Sequence, residues 1–270
     1  MNQTHLAAAA LIAVGSTPLA PFPPEPIRYG PSASRYLIHR HLRVQQTYQG
    51  VPQTEDLGAR LYVSAAIAGP RDSAGYPTTF TIDSIVPDSG MPAPIAESVS
   101  KVRMAVFAGR LAPGGEFRSA GSPESALDRT VLQLVGGFRD FLPRIPATGA
   151  GPGASWTDTV SFTQHEGGTE ITRHSVLHSL APAWELRAGV RSLRIEASTT
   201  YRVTGSGVNG GQPFQISGAG TVQAHDFLAE DGRFVGGESQ DSAALVVALP
   251  EQGLSIPVTQ VLQSSVVTLP

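Results

Sequence analysis

The sequence predicts an α+β fold that is mainly β: one long, curved antiparallel sheet with one or two helices packed on its concave face. Three observations carry this prediction. Residues 190–205 alternate between apolar and polar side chains with a period of two, which is typical of a strand with two different faces. Asn-Gly and Gly-Gly steps at 209–211 supply a hairpin turn. A single apolar stripe at helical spacing runs through 123–142.

The stretch from Val190 to Leu249 organises the chain as two long strands joined by a tight turn and followed by a third. One face of the first strand carries Leu193, Ile195, Ala197, Thr199, Tyr201 and Val203. The same face of the return strand carries Phe214, Ile216, Gly218, Gly220 and Val222. Glycines inside a strand mark curvature or the close approach of another element. A second turn is expected at 230–233.

The first part of the chain predicts an antiparallel meander. Strands are expected at 35–49, 59–68 and 78–86, separated by short links that are rich in Gly and Pro. Apolar residues at helical spacing then predict a short helix over 93–103. A strand at about 104–111 follows, with 116–118 pairing back against it.

The strongest predicted helix spans 123–142. Ser122 is a good N-cap and Pro123 suits the first helical position. Pro143 stops the helix. Its apolar stripe consists of Leu127, Val131, Leu134, Phe138 and Phe141.

Residues 147–154 are rich in Gly, Ala and Pro, and we interpret them as a loop inside one domain because the strands on both sides are alike. The remaining strands are expected at 156–165, 169–180, 190–206, 213–229, 233–249 and 256–268.

The amino-acid composition argues against nucleic-acid binding and excludes chemistry that depends on cysteine. The 270 residues carry a net charge of −3 without a basic block, so a nucleic-acid partner is not expected. The chain has no cysteine, which removes disulfides, thiolate metal sites, cysteine nucleophiles and a lipid-modified cysteine.

The N-terminus predicts export to the periplasm or cell envelope. Residues 1–16 contain a short apolar run that is similar to a secretory signal, although no Lys or Arg precedes it. Residues 17–34 hold six prolines and are expected to form an extended tether. Residues 35–270 form a single β-rich domain, and no segment is long and apolar enough to span a membrane.

The layout resembles the half-barrel fold of the LolA/LppX/RseB-like envelope proteins. The resemblance rests on the strand meander and helix, on Phe107–Leu111 before a Gly-Gly turn, on Phe141-Leu142-Pro143, on Trp156 after a Gly-rich loop, and on the turn at 230–238. It implies a curved sheet wrapped around one or two helices, with a concave face that holds acyl chains or a protein segment. It also implies a non-catalytic envelope protein. Family members anchored through a cysteine differ from this chain.

The sequence contains only weak matches to metal-binding, catalytic and cofactor-binding motifs. His39 and His41 share one strand face, but nothing in the sequence brings a third ligand to them, so we predict no metal site. The G-x-S-x-G nucleophile elbow is absent. Residues 205–210 spell G-x-G-x-x-G at a predicted hairpin with no helix after it, which is not the context of a dinucleotide site. We therefore predict no cofactor and no catalytic residue.

The function predicted from sequence is non-enzymatic binding of an apolar small molecule or lipid, or of an apolar segment of a partner. The alternative is an extrinsic structural subunit docked on the periplasmic face of a membrane protein complex and held partly by its N-terminus. An enzyme would rest only on the scattered histidines. The apolar face could form an open cradle or be filled by the helix at 123–142. The candidate ligand-binding residues are Leu193, Ile195, Tyr201, Val203, Phe214, Ile216, Leu134 and Phe138.

Overall fold

The computed structural model describes residues 25–120, 138–166, 168–209 and 211–270. Within these ranges it shows twelve strands and one α-helix. The first five strands are β1 (Ser32–Tyr48), β2 (Val51–Ile67), β3 (Tyr76–Pro87), β4 (Val106–Leu111) and β5 (Phe117–Ser119). The others are β6 (Ser155–Glu166), β7 (Thr169–Leu180), β8 (Trp184–Arg187), β9 (Val190–Asn209), β10 (Gln212–Ala229), β11 (Phe234–Leu249) and β12 (Leu254–Leu269). The helix is α1 (Ala93–Ser100).

The strands form one open antiparallel sheet in the order β5-β4-β3-β2-β1-β12-β11-β10-β9-β7-β6, with β8 also paired to β9. Neighbours in sequence are neighbours in space almost throughout. There are two exceptions: β7 pairs with β9, and β1 pairs with β12, which joins the two halves of the chain at the centre of the sheet. The predicted fold class is therefore confirmed, and the open sheet is compatible with a half-barrel layout.

The β9–β10–β11 region agrees closely with the prediction. Asn209 pairs with Gln212 across a two-residue turn, and Gly211 has a φ of 83° that suits glycine. Gly210, the other turn residue, lies outside the described residues. The second turn, at 230–233, closes with a hydrogen bond from the Gly232 amide to the Ala229 carbonyl.

The second strand differs from the prediction, because it begins at Val51 instead of residue 59. A two-residue turn at Gln49 and Gly50, with φ values of 51° and 79°, connects it directly to β1. Residues 51–56 are exposed on both faces, so they show no apolar alternation. Backbone pairing to β1 holds this stretch in the sheet despite its polar sequence.

The two predicted helices have different outcomes. The helix predicted at 93–103 is confirmed as α1, and it anchors to the sheet through Val99, which is fully buried. The helix predicted at 123–142 lies outside the described residues except for its last five. There, Phe138–Asp140 form one turn of 3-10 helix.

The C-terminal part of the predicted tether packs into the core. Ile27 exchanges two backbone hydrogen bonds with Ala150, at 2.7 and 3.0 Å. The Tyr29 hydroxyl donates to the Pro143 carbonyl at 2.5 Å. Burying an isoleucine and a tyrosine outweighs the tendency of the surrounding prolines to stay extended. None of the helices in the described ranges has the length and hydropathy that a membrane span requires.

Candidate functional site: the inner face of the sheet

One face of the sheet carries most of the buried apolar side chains of the central strands, and we call it the inner face. It carries Ile38 and Leu42 on β1, while His39, His41 and Arg43 point to the polar outer face. The inner face divides into two halves along the strand direction. The closed half includes Tyr36, Ile38, Leu193, Ile195 and Phe234. The open half includes Val203, Ile216, Leu245, Val247, Ile256 and Val258.

The closed half is a packed core of aromatic rings. Phe138 stacks on Phe80 with centroids 4.5 Å apart and an interplanar angle of 4°. Phe141 packs edge-on against Phe80, Tyr36 and Phe234. Residues 25–31, α1 and residues 138–150 provide the cover. The rings pack against one another between the sheet and its cover.

The open half pairs each large side chain with a glycine on the neighbouring strand. The four cross-strand pairs on β9 and β10 are Tyr201–Gly220, Val203–Gly218, Gly205–Ile216 and Gly207–Phe214. A Cβ built at Gly220 would lie 2.3 Å from the Tyr201 ring, and one at Gly218 would lie 2.7 Å from Leu245. The Tyr201 ring therefore lies over Gly220, and the Leu245 side chain lies over Gly218. The result is a smooth, low apolar surface.

Tyr201 and Phe214 are buried in the open half, whereas its other apolar side chains stay half-buried. Those on the central strands are Val203, Ile216, Leu245, Val247, Ile256 and Val258. They lie side by side at matching levels, since Ile216 pairs with Val247 and Val247 with Ile256. Contiguous apolar surface that keeps solvent access is a common feature of ligand and partner sites.

A polar cluster lies beside this surface. The Tyr201 hydroxyl donates to Asp241 Oδ1 at 2.6 Å, and Arg173 Nη1 lies 3.8 Å from Asp241 Oδ2. The Arg173 guanidinium also stacks over the Tyr201 ring at 3.6 Å from the centroid. Burial, followed by the contact with Asp241, raises the pKa of Tyr201. Burial also raises the pKa of Asp241, although the hydrogen bond from Tyr201 and the nearby Arg173 oppose that shift.

The eight candidate residues do not form one site. Tyr201, Val203, Phe214 and Ile216 lie together on β9 and β10 in the open half. Leu193 and Ile195 are fully buried in the closed half, and Phe138 is buried in its aromatic cluster. Leu134 lies outside the described residues. Period-two alternation correctly put the strand residues on the inner face. Which of them lie in the closed half and which in the open half depends on packing by residues that are distant in sequence.

The sequence did not lead us to place Arg40 and Asp226 on the inner face, although both occupy inward strand positions. Arg40 lies between Ile38 and Leu42 on β1, and its Nε is buried without a hydrogen-bond partner. Asp226 lies between Ile195 and Gly237 on the neighbouring strands, and burial raises its pKa to about 7. A charged residue at an inward position of an alternating strand is visible in the sequence. This pattern was the signal that could have identified both Arg40 and Asp226.

The histidines pair with ordinary partners on the outer face. His39 contacts Asp88 at 3.0 Å, and His41 contacts Asp56. His174 and His178 bond to the hydroxyls of Ser161 and Thr157. In the part of the chain that the structure describes, no three His, Asp or Glu residues come close enough to hold a metal ion.

A separate cavity of about 530 Å³ lies at the far corner of the closed half, where β12 ends beside β1. Small and polar side chains from β1, β2 and β3 line it, together with Arg35 and Arg233. None of the residues that line this cavity belongs to the apolar open half.

No protein-family model matches the chain, and no curated protein is significantly similar to it.

Proposed function

We propose that this protein is a non-enzymatic, exported protein of the periplasm or cell envelope that binds an apolar ligand, or an apolar segment of a partner, on the open half of its inner face. The observation that carries the proposal is the continuous apolar surface of β9 to β12, whose side chains remain half-buried. The proposed export rests on the N-terminal sequence alone.

The two halves of the inner face support this proposal by contrast. In the closed half, residues 25–31 and 138–150 cover the same kind of surface and exclude water from it. In the open half, burying the remaining exposed part of Val203, Ile216 and their neighbours would gain about 25 cal/mol for each Å² removed from water. An acyl chain or an apolar peptide side chain would supply that burial.

The experiment compares two neighbouring positions that point to opposite faces of β10. Ile216→Asp places a charge in the apolar surface, while Ser217→Asp places the same charge on the exposed outer face. Binding of an environment-sensitive apolar dye should fall at least ten-fold in the first variant and stay unchanged in the second, with melting curves recorded for both. Equal binding by both variants, or no binding by the wild-type protein, would overturn the proposal.

A further inference from the structure

We propose that this protein forms a two-fold symmetric dimer in which strand β6 of one copy pairs antiparallel with β6 of a second copy. This inference concerns the edge of the sheet and does not depend on the proposed ligand. In the described part of the chain, β6 is the last strand of the sheet and pairs only with β7. An edge strand presents a row of N–H and C=O groups that can pair with another chain.

Every second residue of β6 directs its backbone N–H and C=O away from β7. The phase is set just before the strand, where the Ala181 amide donates to the Ala154 carbonyl at 2.8 Å. The register with β7 then continues without a shift, and hydrogen-bonded pairs alternate with non-hydrogen-bonded ones in an antiparallel ladder. The even-numbered residues therefore bond to β7. The residues that direct their backbone groups outward are Ser155, Thr157, Thr159, Ser161 and Thr163.

The middle of this edge has little of the protection that edge strands usually carry. Such protection consists of lysines, prolines, bulges or other charged side chains. Residues 155–163 contain no Lys, Arg, Pro or Gly, and their pairing with β7 has no bulge. The one charged residue is Asp158, whose Oδ1 accepts a hydrogen bond from the Thr159 amide at 2.8 Å and whose Oδ2 lies 3.8 Å from Arg144. In the dimer, the Thr159 amide donates to a carbonyl of the second copy, and Asp158 keeps its contact with Arg144.

The sequence of β6 is complementary to itself in the antiparallel orientation. Outward-directed residues can bond only to outward-directed residues, so the same faces of the two sheets become continuous. With Thr159 on the two-fold axis, a hydroxyl side chain faces a hydroxyl side chain at each outward position. On the inner face, Trp156 then faces the second copy's Phe162, and Asp158 faces Val160. Hydroxyl pairs and aromatic pairs across strands are stabilising, and no like charges meet.

The two edges of the sheet are unequal, which favours a closed dimer over a chain of copies. The opposite edge of the described sheet is β5, which is three residues long, so β6 finds no edge of equal length for head-to-tail pairing. Pairing of β6 with itself is isologous and closes after two copies. The five outward positions exchange about ten backbone hydrogen bonds across the axis, which is the number found in a typical specific interface.

The experiment measures the mass of the purified chain in solution by sedimentation velocity at increasing concentration. Wild-type protein should shift from one copy to two, without larger species. Thr159→Pro removes an amide that points away from β7, so it deletes both central bonds of the dimer and leaves the ladder inside each copy intact. Its dissociation constant should rise about ten-fold or more. Thr159→Val keeps the amide and should dimerise like the wild type, with melting curves recorded for both variants.

A second pair of variants tests the same edge through charge. Thr159→Lys puts like charges opposite each other at the two-fold axis and should also weaken the dimer. Thr200→Lys is its control, because Thr200 is exposed at the same level of the sheet, where Thr159 pairs with Val176 and Val176 pairs with Thr200. The control adds the same charge away from the edge and should leave the dimer unchanged.

Cross-linking locates the contact directly, because the chain has no cysteine. A short bis-maleimide should join two copies of Thr159→Cys and should not join copies of Thr200→Cys. A monomer at every concentration overturns the proposal, and so does a dimer that both Thr159→Pro and Thr159→Lys leave intact. Growth into larger species would show head-to-tail pairing and overturn the two-fold arrangement.

Discussion

The two halves of the inner face are built from the same alternating strands and differ in what covers them. In the closed half, aromatic rings from residues 138–141 stack on β3 and β4. In the open half, Gly220 on β10 leaves room for the Tyr201 ring, and the surface around Val203 and Ile216 remains half-buried. Period-two alternation decides which face a side chain takes. The connecting segments decide whether that face becomes core or surface.

The same contrast appears in the two inner-face carboxylates. Asp241 accepts a hydrogen bond from Tyr201 and lies near Arg173 in the open half. The Asp226 carboxyl group, in the closed half, forms no side-chain hydrogen bond or ion pair with any residue that the structure describes. Burial raises the pKa of both carboxyl groups, but only that of Asp241 is opposed by a hydrogen-bond donor and a nearby cation.

The largest expected effect compares a phenylalanine from each half. Phe138→Ala should lower the free energy of unfolding by about 3–5 kcal/mol, because the ring is buried against Phe80 and Phe107. Phe162→Ala in the open half should cost clearly less, since that ring is half-buried and covered on one side by Arg139. Urea unfolding of both variants gives the comparison. Equal losses would mean that the two halves are equally packed.

The second prediction concerns pH and the closed half. Burial raises the pKa of Asp226 from 3.8 to about 7, so the folded state binds a proton that the unfolded state releases between these values. Stability should therefore fall as pH rises from about 4 to 7, by up to about 4 kcal/mol at 1.36 kcal/mol per pKa unit. In Asp226→Asn the free energy of unfolding should no longer fall between about pH 4 and 7. Unfolding curves measured across this pH range test the prediction.

Asp231→Asn, in the exposed turn after β10, is the matched control for that measurement. Burial opposes ionisation of Asp231, but the hydrogen bonds and the positive charge of Arg233 together outweigh it and lower its pKa. The stability that ionised Asp231 contributes is lost as pH falls, so its effect has the opposite sign to that of Asp226. A wild-type slope that survives in Asp226→Asn would show that this carboxyl is not the titrating group.

Most of the fold was predictable because strong local signals coincide in the long strands. Strands β7, β10 and β11 agree with their predicted bounds within one residue, since turn glycines delimit them and alternation fills them. Residues 51–56 were missed because a polar strand segment that is exposed on both faces looks like a loop. Ile27 and Tyr29 were missed because their partners, Ala150 and Pro143, are more than a hundred residues away.

The candidate site was predictable only as a face. Alternation correctly put Leu193 and Ile216 on the same side of the sheet, but it contains no information about residues 138–150 covering one end. The inward position of Arg40 was readable from the positions of Ile38 and Leu42. Its lack of a partner was not, because an ion pair depends on strands that are distant in sequence.

The smallest expected effect tests the glycine surface of the open half. In Gly220→Val the new Cβ would lie 2.3 Å from Tyr201 Cζ and 2.7 Å from the Ser242 carbonyl oxygen, so the Tyr201 ring must move. Overpacking of this kind costs about 1–3 kcal/mol. Displacing Tyr201 also breaks its hydrogen bond to Asp241 and roughens the apolar surface. We therefore expect a lower melting temperature together with weaker binding of the apolar dye.

Ala219→Val is the control for that change, because the neighbouring residue points to the exposed outer face of the same strand. A β-branched side chain suits an exposed strand position, so stability and dye binding should both stay close to wild type. If Gly220→Val lowers stability but leaves dye binding intact, the ligand does not contact the surface around Tyr201. The open half would then be a loosely packed part of the sheet instead of a binding surface.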